Sequence, residues 1–431
     1  MTSASNAEGS ASTPPAVASK VKNRSLSEGM AGHRNSLGIL RLALASLVIF
    51  SHAFPLGGWG EDPMLGWTRR QESIGGLAVV GFFAISGYLI AKSGVGTDIL
   101  QFLWRRVLRI FPAFWLVLLV GAVIVGPIVW LMEGRALATY ATADPGGPLG
   151  YLLLNADLTI RQWGIYDIFA TTTPWGERAG ASALNGSLWT LAYEWGCYLI
   201  IAVLVLFRIP KRARFVVPVL TAFFFAVALA NIVAPGLAAS VYPGFADSFR
   251  VTLTLIFLIG STFGLYSREI PLDDRLGIVS GVVVIVTLAF GGWVLIGFPA
   301  FAYFLLWAAS RLPQRLQWIG AKNDYSYGVY VYGFLVQQFT AYLGWHQWGY
   351  VPWVLAVLLI TAGGAWLSWH LVEKRAMMLK DIGPGRGIRF WVDRVRSWGT
   401  KGLRKSSRTP RSSPNTAAVP SGTKDQLEES N

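Results

Sequence analysis

The stretch LRLALASLVIFSHAF, residues 40–54, sets Arg41 and His52 in an otherwise apolar run. Ionisable side chains are expensive in hydrocarbon and are kept there for a partner, a cavity or a reaction. The two residues are eleven positions apart, close to three helical turns, so they are expected on one helix face about 16 Å apart along its axis. An imidazole titrates near neutral pH and suits general-base work on a hydroxyl. The plainer roles are an interfacial anchor for Arg41 and an interhelical hydrogen bond for His52.

Three further segments carry polar groups in apolar surroundings. FLWRRVLRIFPAFW, residues 102–115, gathers Arg105, Arg106 and Arg109 ahead of Pro112. Guanidinium forks match phosphate oxygens bidentately, and such clusters also mark the cytoplasmic edge of a membrane helix. NGSLWTLAYEWGCYL, residues 185–199, places Glu194 among Trp189, Trp195 and Tyr198. An acid in such a run must face protein or water, where it can orient an imidazole or move a proton. GGLAVVGFFAISGYLIAKS, residues 75–93, repeats Gly81, Ala84 and Gly87 at every third position. That smooth stripe fits close approach of a neighbouring helix, and Ser86 is expected to bond its own helix backbone. Cys197 is the single cysteine, which excludes an intrachain disulfide and a multi-cysteine metal site and reads as a packing residue.

The elements that must hold these groups follow from composition. The chain is 53% hydrophobic and 14% charged, with 19 Trp, whereas soluble domains carry about 25% charged residues. Apolar runs at 37–54, 75–92, 110–131, 187–207, 215–234, 248–266, 276–295, 298–310, 327–344 and 351–372 are mostly long enough to cross roughly 30 Å of hydrocarbon. The expected fold is all-α, a polytopic membrane bundle of about ten helices. The net charge of +14 points to loop charges that fix topology rather than to nucleic acid. With the N-terminus inside, 31 of the 37 Lys and Arg fall on the inner side, which predicts both termini in the cytoplasm. The small-residue SHA before Phe54 faintly resembles a leader cleavage site. However, 36 residues precede the apolar run, so it reads as a first membrane helix.

The chain then divides into a disordered cytoplasmic tail over 1–36, a transmembrane domain over 37–380, and a basic, largely disordered cytoplasmic tail over 381–431. The segment 132–186 is the longest expected on the outer side and is too long for a mere connector. No soluble catalytic domain is appended.

Taken together, these motifs resemble the acyltransferase-3 family of integral membrane O-acyltransferases. Arg41 and His52 fit its Arg-ten-residues-His signature, and GGLAVVGFFAISGYLIAKS is similar to its second motif. RRVLRIFPAFW resembles its Arg-x-x-Arg plus proline, and SLWTLAYEW its Ser-Leu-Trp-Thr-Leu-x-x-Glu. NDYSYGVYVYGFLVQQ (323–338) and WHLVEKR (369–375) resemble its late Tyr and closing Glu segments. The resemblance spans about residues 36–380. It implies an acyl-CoA donor, most often acetyl-CoA, used as a substrate with no tightly bound cofactor. The donor phosphates would meet Arg105, Arg106, Arg109 and Arg41. It implies a glycan or lipid-linked sugar acceptor and a multi-pass location in the bacterial inner membrane. His52 is the expected general base, assisted by Glu194, with an acyl-histidine intermediate as the alternative chemistry. The sequence departs from the family at Gly333, where many members carry a histidine. Gln337 and Gln338 are the nearby polar groups.

Two other classes share this composition. A transporter or flippase would also have about ten spans with intramembrane Arg, His and Glu, and a non-catalytic scaffold would need no such ordered motifs. The outer tryptophans Trp163, Trp175, Trp345 and Trp348 suit stacking on sugar faces or interfacial anchoring. The acceptor and the oligomeric state are left open by the sequence.

Overall fold

The computed structural model describes residues 24–31, 35–142 and 145–405. Each of the apolar runs is helical. The long helices are α1 (Leu37–Leu56), α2 (Ile74–Gly94), α3 (Ile99–Met132), α4 (Thr190–Leu206) and α5 (Val216–Val233). They continue with α6 (Ser248–Leu265), α7 (Asp274–Phe290), α8 (Trp293–Arg311), α9 (Ser326–Tyr342), α10 (Tyr350–Met378) and α11 (Gly387–Lys405). Seven of them, α1, α2, α3, α5, α6, α8 and α10, are long and apolar enough to cross a membrane. α4, α7 and α9 are 17 residues each. The described residues contain no β-strand beyond an isolated bridge, Ser25 to Pro271. This is an all-α polytopic membrane protein.

Helix starts follow local chemistry. The side chains of Ser73, Asp98, Asp247 and Asp273 accept hydrogen bonds from the first backbone N–H groups of α2, α3, α6 and α7, which have no intrahelical partners. The lipid-facing helices expose apolar side chains, among them Val219, Ile278, Val282 and Leu359, as a bilayer solvent permits.

The bundle centre is built from α1, α2, α6 and α9. α1 packs on α2 and α9, α2 packs on α6, and α9 packs on α10. The small-residue stripe of α2 serves this packing. A methyl group built on Gly87 would stand 2.0 Å from the Phe257 carbonyl oxygen, and one on Gly260 would stand 2.1 Å from that of Ala84. α2 and α6 therefore touch backbone to backbone. Gly333 is explained in the same way: an added Cβ would meet Ile49 at 2.7 Å, so α9 lies against α1 with no room for a larger side chain. Gln337 and Gln338 donate to the carbonyls of Ile49 and Ala183, at 2.9 and 2.8 Å, and so fasten α9 to its neighbours.

The structure differs from the sequence reading in three places. Residues 24–36 are not all an unstructured tail: Leu26–Gly29 is a capped helical turn, its Leu26 is buried, and its backbone bonds Ser267 and Ile270. An apolar side chain with a pocket to enter outweighs the polar composition around it. Residues 1–23 and 32–34 of that tail lie outside the described residues. At the other end, Gly387–Lys405 is helical because its apolar and basic residues alternate with helical period, while 406–431 lies outside the described residues. The segment 132–186 folds on itself through short helices such as Pro148–Leu154 and Pro174–Ala179, and through Arg135 paired with Asp167. It supplies no lining residue to either cavity described below.

Candidate active site

Two cavities lie end to end inside the bundle. The first, about 200 Å³, opens among Arg41, Arg105, Arg106 and Arg109, with Glu194 and Tyr198 on its wall. All four arginines expected to meet the donor thus share one cavity. α1 supplies Arg41, and α3 supplies the other three from positions i, i+1 and i+4, which occupy one helix face.

Their charges are settled differently. One oxygen of Asp324 accepts from both Arg41 and Arg109, the latter at 2.5 Å. Its other oxygen accepts from the hydroxyl of Ser326 at 2.5 Å. Burial alone would push the Asp324 carboxyl up, but the Arg41 and Arg109 charges and the Ser326 bonds outweigh it and hold the carboxyl well below its ordinary range. Arg105 pairs with Asp381 at 2.8 Å in a half-exposed bridge. Arg106 donates to the Ser93 hydroxyl at 3.2 Å and lies over the Phe102 and Tyr198 rings. Among the described residues it has no carboxylate partner.

Glu194 accepts from Ser86 at 3.1 Å and from the Tyr198 hydroxyl, and Ser86 and Tyr198 lie 3.0 Å apart. Ser86 therefore serves this cluster rather than its own helix backbone. Beyond it, Glu373 is buried in a widened turn of α10, held by Ser368 at 2.9 Å, with its second oxygen unbonded. Such widened turns often accompany functional positions.

The second cavity, about 590 Å³, is lined by His52, Glu61, Asp62, Glu72, Trp189 and Trp293 among others. The His52 ring stands edge-on to Phe334 at 5.3 Å, and its Nδ1 is buried without a hydrogen-bond partner. Asp62 accepts from the Ser51 hydroxyl at 2.5 Å and from the backbone of Met64 and Ile74. This ties the loop after α1 to the start of α2. Glu72 accepts from the Trp293 indole at 3.0 Å. Burial pushes its carboxyl up to about 7, with the bonds from Trp293 and Ser73 opposing and the Asp62 charge adding.

Val79, Thr190 and Tyr330 line both cavities and form the partition between them. The Thr190 and Tyr330 hydroxyls lie 2.5 Å apart, and Tyr330 donates to the Ser187 carbonyl at 2.8 Å. His52 and Glu194 thus stand on opposite sides of this partition, and no hydrogen bond joins them. The expectation that Glu194 positions His52 is replaced by two separate clusters.

A model described as an acyltransferase domain, that of the acyltransferase-3 family, matches residues 34–370. The chain belongs to the acyltransferase-3 family. An O-acetyl transferase of Shigella phage Sf6 is 29% identical over 354 residues, covering 79% of this chain and 95% of that relative. Nodulation protein 10 of Rhizobium leguminosarum bv. viciae is 29% identical over 383 residues, covering 82% and 96%. No solved structure matches the chain significantly. The protein is an integral membrane acyltransferase, and the family and its O-acetyl transferase relative support O-acyl transfer.

Within this acyltransferase-3 site, sequence reasoning missed Asp324, Asp62 and Glu72. Asp324 lies one residue into the quoted NDYSYG segment, and its contact with Arg41 bridges 283 positions. The available signal was electrostatic: two arginines near one bilayer edge call for a carboxylate, and Asp324 sits just before an apolar run. The tryptophans facing the second cavity are Trp189 and Trp293. Trp345 and Trp348 stack on each other at 4.8 Å instead, and Trp163 is exposed. Cys197 is buried in the packing of α4.

Proposed function

We propose that this acyltransferase moves an acyl group, in the first instance acetyl, from acyl-CoA to a hydroxyl of a cell-envelope glycan or lipid-linked sugar. The observation that carries the reading is the pair of cavities divided only by Val79, Thr190 and Tyr330. One is basic, and the other holds an imidazole. The basic end of the bundle is taken as cytoplasmic from the Lys and Arg distribution, and the bacterial inner membrane is the location that the family resemblance implies.

In this reading the donor phosphates meet Arg105 and Arg106, the arginines not committed to Asp324. The narrow first cavity suits the slender pantetheine arm, and it brings the thioester carbonyl to the partition. The acceptor hydroxyl enters from the second cavity. His52 takes its proton as the oxygen attacks the thioester carbon. The C–O bond forms, the C–S bond breaks, and the proton passes on to the departing CoA thiolate. Thr190 and Tyr330, whose hydroxyls form part of the partition, bond the oxyanion once their hydrogen bonds to each other and to the Ser187 carbonyl part. Glu194 holds Ser86 and Tyr198 beside the donor arm and acts as a positioning residue. Trp189 offers an apolar face to a sugar ring, and Glu72, held by the buried Trp293 indole, offers an acceptor for its hydroxyls.

The test is CoA release by purified protein given acetyl-CoA, with and without delipidated or lipid-linked envelope saccharides. Release stimulated by acceptor, with matching acetyl esters detected by mass spectrometry, is the expected result. Saccharide movement across a vesicle membrane with no CoA released would replace this reading with a flippase.

A further inference from the structure

The end of the chain beyond the family match carries a second feature that acyl transfer does not use. α11 is reached from α10 through a tight turn, Gly383–Arg386, pinned to α3 by the Trp104 indole bonding the Leu379 carbonyl at 2.9 Å. A Cβ on Gly385 would stand 2.0 Å from the Lys380 carbonyl oxygen, so this junction is tightly packed. Between the starts of α11 and α3 and the basic end of α4 lies a furrow of about 590 Å³.

Five cations line it: Arg208, Lys211 and Arg212 after α4, and Arg386 and Arg389 at the start of α11. None of the five has an ion pair among the described residues. Arg386 lies over the Phe390 ring at 4.7 Å. The one acid in the furrow, Asp98, accepts from the Leu100 backbone at 2.9 Å as the cap of α3. Such a concentration of like charge is stabilised by an anion.

The furrow is also apolar on one side. Val205 and Leu206 line it, and Leu206 and Phe207 are 56% and 66% exposed, so the lipid face of α4 runs into it. On α11, Ile388, Trp391, Val392 and Val395 are all exposed. Their spacing of i, i+3, i+4 and i+7 forms one apolar stripe. It continues the exposed Met378, Leu379 and Ile382 at the end of α10. A helix with this stripe and a basic face lies in a membrane interface, and basic pockets beside membrane helices take anionic headgroups.

We propose that this furrow binds the phosphate headgroup of an anionic phospholipid, whose acyl chains run along Leu206 and Phe207, while α11 lies in the same leaflet. Phosphate on a soluble nucleotide, including the donor's, would satisfy the five cations. It would leave the adjoining apolar surface uncovered, and that surface decides for the lipid. The proposal stands apart from the catalytic reading, because none of these residues lines either catalytic cavity.

The full-length protein, purified in detergent and placed in nanodiscs of phosphatidylcholine with phosphatidylglycerol, tests it. Native mass spectrometry of the released protein counts the lipids retained. The wild type is expected to retain phosphatidylglycerol in preference to phosphatidylcholine. R386Q/R389Q, and separately R208Q/K211Q/R212Q, are expected to lose about tenfold of that preference. The second variant alters the opposite wall and serves where the first does not fold. Equal retention of the two lipids by wild type overturns the proposal, as does preference unchanged in a folded variant. Displacement of phosphatidylglycerol by added CoA also overturns it and assigns the furrow to the donor.

Discussion

The two cavities of this bundle share a partition yet are lined by different ionisable groups. The basic cavity has Arg41, Arg105, Arg106, Arg109 and Lys380 on its wall, with Glu194 as its lining acid. The cavity of His52 is lined by Glu61, Asp62 and Glu72, with no lysine or arginine. In the first, Asp324 from behind the wall binds two arginines, Arg105 pairs with the half-exposed Asp381, and Arg106 has no carboxylate partner among the described residues. In the second, Asp62 is spent on holding a loop, and the imidazole keeps an unbonded Nδ1. The difference teaches a division of labour. One end is built to attract a polyanion, and the other discourages anions and presents a base with hydroxyl-bonding and aromatic groups.

The sharpest way to break this comparison is at its base. His52→Ala should lower the turnover of acyl transfer by about 10²–10⁴-fold, the span of general-base contributions, while donor binding is kept. Single-turnover CoA release and donor binding, measured on the same preparation, separate the two. Next in size is the shared carboxylate. Asp324→Ala strands Arg41 and Arg109 in a partly buried site and should destabilise the fold by about 3–5 kcal/mol, readable by thermal unfolding in detergent. Arg106→Gln removes a cation with no carboxylate partner. It should raise the KM for acyl-CoA about 10–100-fold by loss of a charge-assisted contact of about 1.5–3 kcal/mol, with kcat little changed.

The smallest effect is a pH slope from the other cavity. The folded-state value of Glu72, about 7, lies above its ordinary 4.5, so between those values the native state holds the extra proton. Stability contributed there is present at pH 4.5 and is lost as pH rises through 7. Glu72→Gln should flatten that part of the melting-temperature profile between pH 5 and 8.

The helices were legible because a bilayer leaves a long apolar run little choice but to be helical. Arg41, His52 and Glu194 were legible for the same reason, since a charge stands out against such a background. Asp324, Asp62 and Glu72 were not, because they sit in loops where acids are ordinary. What gives Asp324 and Glu72 a role is a contact over a long sequence distance, and what gives Asp62 one is the closure of the loop between α1 and α2. The separation of Glu194 from His52 was illegible for a related reason. Helical spacing fixes depth and face within one helix, but it says nothing of how two helices are set against each other. Leu26 shows the limit from the other side: a single apolar residue in a polar tail carries no period, yet it is fully buried, with its backbone N–H bonded to the Ile270 carbonyl.

The carbonyl-to-glycine seam between α2 and α6 has a mechanical consequence. At the glycine contacts no side chain separates the two backbones, and the Ser261 hydroxyl bonds the Gly87 carbonyl at 3.2 Å, so the pair should move as a single stiff spar. Ser86 and Val79 ride on that spar. Dilation of the passage to admit a substrate must therefore come from the opposing walls carried by α3, α4 and α9, where Tyr330 and Thr190 are joined by hydroxyls that can part and re-form.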